Sequence, residues 1–192
     1  MQVDLIESYG TDLTPVNAAR VSFANESTWE VVGSEDIVDE NSRVIYSHPK
    51  YALSAKDTKL IHYLAKHKHT SCFEHQGATC RLKVPIFIAR QIQRHRTFAY
   101  NEVSRRYVDN PPEFFWPDAW RARAENVKQG SGDAHPNTEQ WANRTTGHLM
   151  SVVNLYDEML ADGVAPEHAR MILPQNMYTE FYMTGEDRPA IQ

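Results

Sequence analysis

The longest regular pattern in the sequence is helical and runs from about Thr138 to Ala161. Its apolar residues recur three and four positions apart, which places them on one face of a helix. Those residues are Leu149, Val152, Val153, Tyr156, Met159 and Leu160. Gly163 follows where a helix commonly ends in a left-handed residue, and Pro166 can open the next short helix. A helix with one apolar face has to pack on a second layer, which the rest of the chain must supply.

Shorter segments of both kinds accompany this helix. Residues 2–7 and 78–84 have the character of strands, the second with apolar and polar residues in alternation. Residues 56–66 form a helical pattern, and Thr14 is placed to cap a helix that Pro15 opens. Residues 172–183 are compatible with a strand or a helix. Because the segments intermix without regular βαβ alternation, the sequence predicts an α+β fold with a mainly antiparallel sheet.

The chain of 192 residues is long enough for one domain with a core, and we predict a single domain over residues 1–192. Two stretches interrupt the regular patterns. Residues 25–54 are polar and predict a long surface insertion, and residues 110–132 are rich in Pro and Gly and predict a large loop.

Composition excludes several classes of protein. The net charge of -5 argues against a general nucleic-acid binder, so any anion must be held by a local cluster of arginines. No stretch has the length and apolarity of a membrane helix, and the first residues lack the pattern of a signal peptide. Two cysteines, Cys72 and Cys80, are too few for a disulfide framework. We therefore expect a cytoplasmic protein that binds neither membrane nor nucleic acid.

A basic cluster lies between Gln91 and Tyr107 and contains Arg94, His95, Arg96, Arg105 and Arg106. Arginine side chains suit phosphate and carboxylate groups because their planar donors bind two oxygens at once. Gln91 and Arg94 are three apart and would project from one side of the last turn of a helix that begins at Pro85. An extended backbone at 102–106 would place Glu102, Ser104 and Arg106 on one side. Three interpretations remain open: a pocket for a phosphorylated ligand, a solvated turn with salt bridges, and nucleic-acid contact with stacking by Phe98 and Tyr100.

Other reactive residues have simpler explanations. His67, His69, Cys72 and His75 could supply four zinc ligands, but they are too close together for the usual two-pair spacing. Ser104 has no base and orienting group evident beside it, so ligand hydrogen bonding is favoured over nucleophilic attack. Glycine-rich motifs of the Rossmann type are absent. We predict no metal site.

Arg94-His95-Arg96, followed by seven residues and Ser104, resembles the signature of the flavin-dependent thymidylate synthases. Asn101, Glu102 and Arg106 match the same pattern in order and spacing. The resemblance extends to residues 18–22, 69–75, 85–91 and 163–176, and so covers most of the chain up to about residue 185.

The resemblance implies a homotetramer whose active sites combine several chains and which methylates dUMP to dTMP. It implies FAD as cofactor, with NADPH and methylenetetrahydrofolate as co-substrates. The residues implied to contact FAD are Ser22, His69, Ser71, Arg94, His95, Arg96, Asn101, Glu102 and Arg188. The residues implied to contact dUMP are Gln91, Arg94, Glu102, Ser104, Arg105, Arg106 and Arg170.

The sequence departs from the family pattern at two places. Ala99 stands where many relatives have Ser, which removes one hydroxyl. After Gly185 the family continues with an Asn-x-Arg segment, whereas this chain has Glu186, Asp187 and Arg188 and then Pro189. The arginine that ionises the uracil ring in the family has no counterpart here, so no catalytic residue is assigned, and we expect a lower rate.

Two other functions fit the same residues. The first is a related one-carbon transfer that leaves a hydroxymethylated pyrimidine nucleotide. The second is an oligomer subunit that binds nucleotide or flavin but turns substrate over weakly, an expectation that rests on the differences after Gly185.

Overall fold

The computed structural model of the protein describes residues 1–108, 110–125 and 130–186. Its strands are β1 (Gln2–Tyr9), β2 (Glu30–Val38), β3 (Val44–Ala52), β4 (Gly77–Pro85), β5 (Ala99–Glu102), β6 (Arg121–Arg123), β7 (Ser131–Ala134) and β8 (Tyr178–Glu186). Its helices are α1 (Leu13–Arg20), α2 (Ala55–Lys66), α3 (Ile86–Ile92), α4 (Thr138–Ala161) and α5 (Pro166–Ala169). Short 3₁₀ segments lie at Val21–Phe23, Thr70–Phe73 and Arg170–Ile172.

Four strands form the main sheet in the order β1-β4-β8-β5, and β2 with β3 and β6 with β7 form two-stranded sheets. Both two-stranded sheets are antiparallel. The predicted α+β fold with mainly antiparallel sheets is therefore confirmed. Within the described residues, no helix is both long and apolar enough to cross a membrane.

The chain forms two compact units. The amino-terminal unit comprises Asp4–Arg81 with Thr97–Ala99 and the segment that begins at Met183. The carboxy-terminal unit comprises Met1–Val3, Leu82–Arg96 and Tyr100–Tyr182. The expectation of one domain for the whole chain stays a prediction.

Helix α1 begins one residue before the predicted cap. The helix starts at Leu13, and the Thr14 hydroxyl accepts a hydrogen bond from the Thr11 N–H at 2.9 Å instead of capping the first turn. Pro15 is tolerated there because the first N–H groups of a helix have no partner within it. The prediction that Thr14 caps this helix was wrong, although the helix itself is present. Pro15 and Val16 are its buried residues and anchor the amino-terminal unit.

Helix α2 begins at a cap that is also a buried ionic network. The Ser54 hydroxyl accepts from the Asp57 N–H at 3.0 Å, as expected of a serine cap. Asp57, only 4% exposed, also accepts hydrogen bonds from Ser54, Ser27 and Arg20. Burial alone would raise the pKa of this carboxyl, but the bonds from Arg20, Ser54 and Ser27 outweigh it, and the pKa lies below its usual value.

The segment predicted as a surface insertion contains the antiparallel strands β2 and β3. Both strands are exposed along most of their length, as expected of a surface segment. The sequence did not predict that the segment forms regular strands. The predicted large loop at 110–132 contains β6 and the start of β7.

The carboxy-terminal unit takes its core from β4, α3, α4 and β8. Helix α4 has the bounds that the sequence predicts, and Gly163 follows it with a φ of 84°. The segment at 172–183, compatible with a strand or a helix, becomes strand β8 from Tyr178 onward, because Thr179 and Phe181 are buried in alternation.

Candidate functional site

The basic cluster begins in a turn rather than on a helix. Helix α3 ends at Ile92, and the N–H groups of Arg94 and His95 donate to the carbonyls of Gln91 and Ile92 at 3.3 and 3.0 Å. Arg94, His95 and Arg96 are all exposed. The expectation that Gln91 and Arg94 share the last helical turn is therefore corrected, because Arg94 lies past the end of the helix.

Tyr100 holds this turn against the unit's core. Its hydroxyl lies 3.1 Å from the Ile92 carbonyl oxygen and 2.9 Å from that of His95, so it can donate to either. Burial raises the pKa of Tyr100, which keeps the hydroxyl a neutral donor. Its ring packs edge-on against the buried Phe181, with centroids 5.9 Å apart. The arginine turn is thus positioned by a side chain that the core fixes.

The Glu102 carboxylate is oriented by two neighbours although the residue is exposed. The hydroxyl of Thr179, which is 4% exposed, donates to one carboxylate oxygen at 2.5 Å. The Gln93 amide donates to the other oxygen at 3.2 Å. A carboxylate with both oxygens engaged has little freedom to rotate, so Glu102 presents a fixed acceptor.

Ser104, Arg105 and Arg106 form a turn. The Tyr107 N–H donates to the Ser104 carbonyl at 2.9 Å, and the Arg106 Nε donates to the Ser104 hydroxyl at 3.2 Å. The predicted extended backbone at 102–106 is wrong beyond Glu102, where strand β5 ends. The turn forms because the Ser104 side chain also accepts from the N–H of Arg106, at 3.4 Å, a local bond that competes with strand pairing.

Only some of the arginines in the basic cluster interact with other groups of the protein. Arg105 donates to the carbonyl of Asn110, and the Arg106 guanidinium lies over the Tyr107 ring at 4.9 Å. Among the described residues, neither Arg94 nor Arg96 has a carboxylate within ion-pair distance. This finding weighs against a turn held by salt bridges and leaves two exposed guanidinium groups able to bind an anion.

Phe98 and Tyr100 pack inside their units. A Cβ placed on Gly185 would overlap the Phe98 ring, which shows how closely that ring covers the glycine. Tyr100 is half-buried and engaged as described above. Neither ring stands free as the stacking platform that the nucleic-acid interpretation needs.

The remaining predicted FAD contacts lie at two places. Asn101 is exposed on β5, in the carboxy-terminal unit. Ser22, His69 and Ser71 are exposed in the amino-terminal unit, at or beside its 3₁₀ segments. His69 belongs to a short aromatic stack in which the Tyr63 ring lies 6.2 Å from His69 and 4.2 Å from His67.

Arg170 is exposed at the start of the 3₁₀ segment Arg170–Ile172. Arg188 lies outside the described residues. In the described ranges, no three His, Cys, Asp or Glu side chains are grouped so that they could hold a metal ion. Cys72 and Cys80 are free thiols, both half-buried.

Two residues that shape this site carry no sequence signal that singles them out, and a third, Tyr100, is singled out only for stacking on nucleic acid. Gln93 and Thr179 orient Glu102, and Tyr100 holds the arginine turn. Thr179 is 77 positions from Glu102, and a threonine in a strand pattern has no signature of function. Only the alternation of buried residues on β8 indicates that its side chain points inward.

The carboxy-terminal unit of this α+β fold thus carries the exposed Arg94 and Arg96, the oriented Glu102 and the Ser104 turn within one short stretch of sequence. The chain belongs to the Thy1 family, described as thymidylate synthase complementing protein, whose model matches residues 4–191.

Its relatives include a flavin-dependent thymidylate synthase of Thermus thermophilus, 37% identical over 180 residues that make up 94% of this chain. The enzyme of the same name from Thermotoga neapolitana is 36% identical over 186 residues, 97% of this chain and 71% of that protein. This chain spans 57% of the length of the Thermus relative. Among solved structures, the UMP/dUMP methylase PolB of Streptomyces cacaoi, bound with 5-Br dUMP, matches with a TM-score of 0.75 and 31% identity. The match covers 96% of this chain and 73% of PolB.

Proposed function

We propose that the protein is an FAD-dependent thymidylate synthase, which methylates dUMP to dTMP with methylenetetrahydrofolate as carbon donor and NADPH as reductant. The observation that carries the proposal is the pair of exposed guanidinium groups, Arg94 and Arg96, with no carboxylate partner among the described residues. They lie in the turn that Tyr100 holds, within the motif that defines the family resemblance. Relatives that are named flavin-dependent thymidylate synthases support it.

The residues present fit the chemistry of the ligands. FAD carries a pyrophosphate and dUMP a phosphate, and exposed arginines next to neutral hydrogen-bonding groups suit both. We assign FAD contacts to Ser22, His69, Ser71, Arg94, His95, Arg96, Asn101, Glu102 and Arg188. We assign dUMP contacts to Gln91, Arg94, Glu102, Ser104, Arg105, Arg106 and Arg170. Bound FAD would supply the hydride that reduces the pyrimidine.

The protein's own residues then bind and orient the nucleotide. The arginines neutralise phosphate charge, which fixes one end of dUMP. Glu102 offers an oriented acceptor for an N–H or O–H of the ligand, because Thr179 and Gln93 hold its carboxylate. The assigned residues are almost all exposed in the single chain, which agrees with a homotetramer whose sites several chains complete. The cytoplasmic location expected from the sequence belongs to the same proposal.

The test begins with binding. Purified protein is incubated with FAD and freed of unbound flavin, and its visible flavin absorbance is recorded, together with the affinity for dUMP by calorimetry. Arg94→Ala should lose nucleotide binding, whereas Arg123→Ala, which removes an exposed arginine from β6, should bind as the wild type does. Equal affinity in all three proteins would overturn the assignment of Arg94.

Turnover follows with NADPH, methylenetetrahydrofolate and either dUMP or UMP, the second because PolB is described as a methylase of both nucleotides. The mass of the product distinguishes a methyl from a hydroxymethyl group. A methylated deoxynucleotide supports the proposal. A hydroxymethylated product, or tight binding without turnover, would replace it with one of the two other functions.

A further inference from the structure

Strands β2 and β3 form a two-stranded ribbon, Glu30–Val38 with Val44–Ala52, that stands exposed to solvent. Every residue of β2 and all of β3 except His48 and Ala52 are exposed. Eight large apolar or aromatic side chains are among them: Val31, Val32, Ile37, Val38, Val44, Ile45, Tyr46 and Tyr51. These side chains are divided between the two faces of the ribbon, with Ile37 and Tyr46 on one face and Ile45 and Tyr51 on the other. Because isolated hairpins are marginally stable in water and exposed apolar side chains mark interfaces, the ribbon needs a partner.

One face of the ribbon has a particular order of side chains. Glu35 lies opposite His48, Ile37 opposite Tyr46, and Gly33 opposite Lys50. His48 Nε2 lies 3.8 Å from Glu35 Oε2, and the Tyr46 and His48 rings stack with their centroids 5.9 Å apart, which places these side chains on the same face. We call this surface the Glu35 face. Asp36 and Ser47 lie opposite each other on the other face.

The two strands carry opposite charge. Strand β2 contains Glu30, Glu35 and Asp36 and no basic residue, whereas β3 contains His48 and Lys50 and no acidic residue. A two-fold axis along the strands lays β2 of one copy over β3 of the other when the two Glu35 faces meet. Glu35 of each copy then faces His48 of the other. The same operation brings Ile37 of each copy to Tyr46 of the other.

Shape agrees with this arrangement. Gly33 would face Lys50 of the second copy, and a Cβ placed on Gly33 has no atom within 4 Å, so the space above it is open. Pairing through the strand edge is disfavoured, because Pro49 has no N–H to donate and the ladder is irregular near both ends. Anionic lipid and nucleic acid are disfavoured by charge, since residues 30–52 hold five acidic residues against Arg43 and Lys50.

We propose that the Glu35 face joins two copies of this chain, face to face, about a two-fold axis along the ribbon. The contact goes beyond the proposed enzymatic function and does not require it. It assigns a role to a segment of the chain in which no flavin or nucleotide contact is placed.

Ile37→Asp places a charge where the two faces meet. Light scattering at fixed protein concentration should show the mass of the assembly falling about two-fold, since one interface is lost. Ser47→Asp adds the same charge to the other face and should keep the wild-type mass. Circular dichroism checks that both variants are folded, which is expected because both positions are exposed.

A second measurement locates the contact directly. Ile37→Cys in one tagged copy and Tyr46→Cys in a differently tagged copy are mixed and treated with a short bis-maleimide. A cross-linked product that carries both tags is expected, whereas Asp36→Cys mixed with Ser47→Cys should give only the background of the wild-type cysteines. Unchanged mass for Ile37→Asp, equal cross-linking on both faces, or a monomeric wild type would overturn the proposal. A monomer that instead sediments with phosphatidylcholine vesicles would assign the face to a lipid surface.

Discussion

Replacing Thr179 with valine tests whether the orientation of Glu102 matters for ligand binding. Thr179 is 4% exposed, and its hydroxyl donates to the Glu102 carboxylate at 2.5 Å. Valine keeps the branched shape that a strand favours and removes only the hydroxyl. Glu102 would keep the bond from Gln93 and gain rotational freedom.

The size of the effect follows from the exposure of Glu102. A hydrogen bond to a charged group contributes about 1.5–3 kcal/mol when its loss leaves a buried group unsatisfied. Here water can replace the hydroxyl at the carboxylate, so we expect a loss of about 0.5–1.5 kcal/mol in the free energy of unfolding. A ligand that uses Glu102 must then immobilise that side chain, which costs about 0.5–1.5 kcal/mol, or roughly 2- to 12-fold in Kd.

The assay measures Kd for dUMP by calorimetry and the unfolding midpoint in urea. The proteins compared are the wild type, Thr179→Val, Thr179→Ser and Thr184→Val. Thr179→Ser keeps a hydroxyl and should restore affinity. Thr184→Val removes from the same strand a hydroxyl that pairs with Thr79 at 2.9 Å, and should leave dUMP affinity unchanged. Equal weakening in Thr179→Val and Thr184→Val, or no weakening in either, would refute the argument. Failure of the wild type itself to bind dUMP would instead refute the proposed function.

Three further predictions concern the parts that support the site. Because the pKa of Asp57 lies below its usual 3.8, the unfolded chain takes up that proton first, and the stability this carboxylate provides is present above 3.8 and lost as pH falls below it. The free energy of unfolding, measured in urea between pH 7 and pH 3, should therefore fall less steeply for Asp57→Asn than for the wild type. Parallel dependence on pH in the two proteins would contradict this. Gly185→Ala should destabilise by about 1–3 kcal/mol through overlap with the Phe98 ring, and the cost should shrink in a Phe98→Ala background, as a double-mutant cycle measures. Tyr100→Phe should cost about 1 kcal/mol and speed amide hydrogen exchange at His95, and unchanged exchange there would remove its positioning role.

Periodic segments were predictable because burial alone determines them. Helix α4 has the predicted bounds, since its apolar residues define one face and Gly163 ends it. Strand β4 follows from alternation that ends in the buried Leu82 and Val84. The motif from Arg94 to Ser104 identified the family, because a match over several spaced residues is specific.

Contacts between distant positions were not predictable from local pattern. The bond from Thr179 to Glu102 joins strands that the sequence does not reveal as neighbours. The turn at Ser104 depends on a side-chain bond that competes with extended backbone, and both are possible for the same residues. The ribbon was missed because its polar residues resemble those of a loop, while its pairing is set by cross-strand partners such as Glu35 and His48.

The two ends of the ribbon lie next to each other. Its first and last residues, Glu30 and Ala52, are paired across the strands. Just outside them, Ser27 and Ser54 both donate to Asp57, at 3.0 and 2.7 Å. During evolution such a segment can be inserted, deleted or exchanged as a unit, because its removal joins two ends that are already neighbours. An engineer could use the same position to graft a foreign hairpin without moving helix α2.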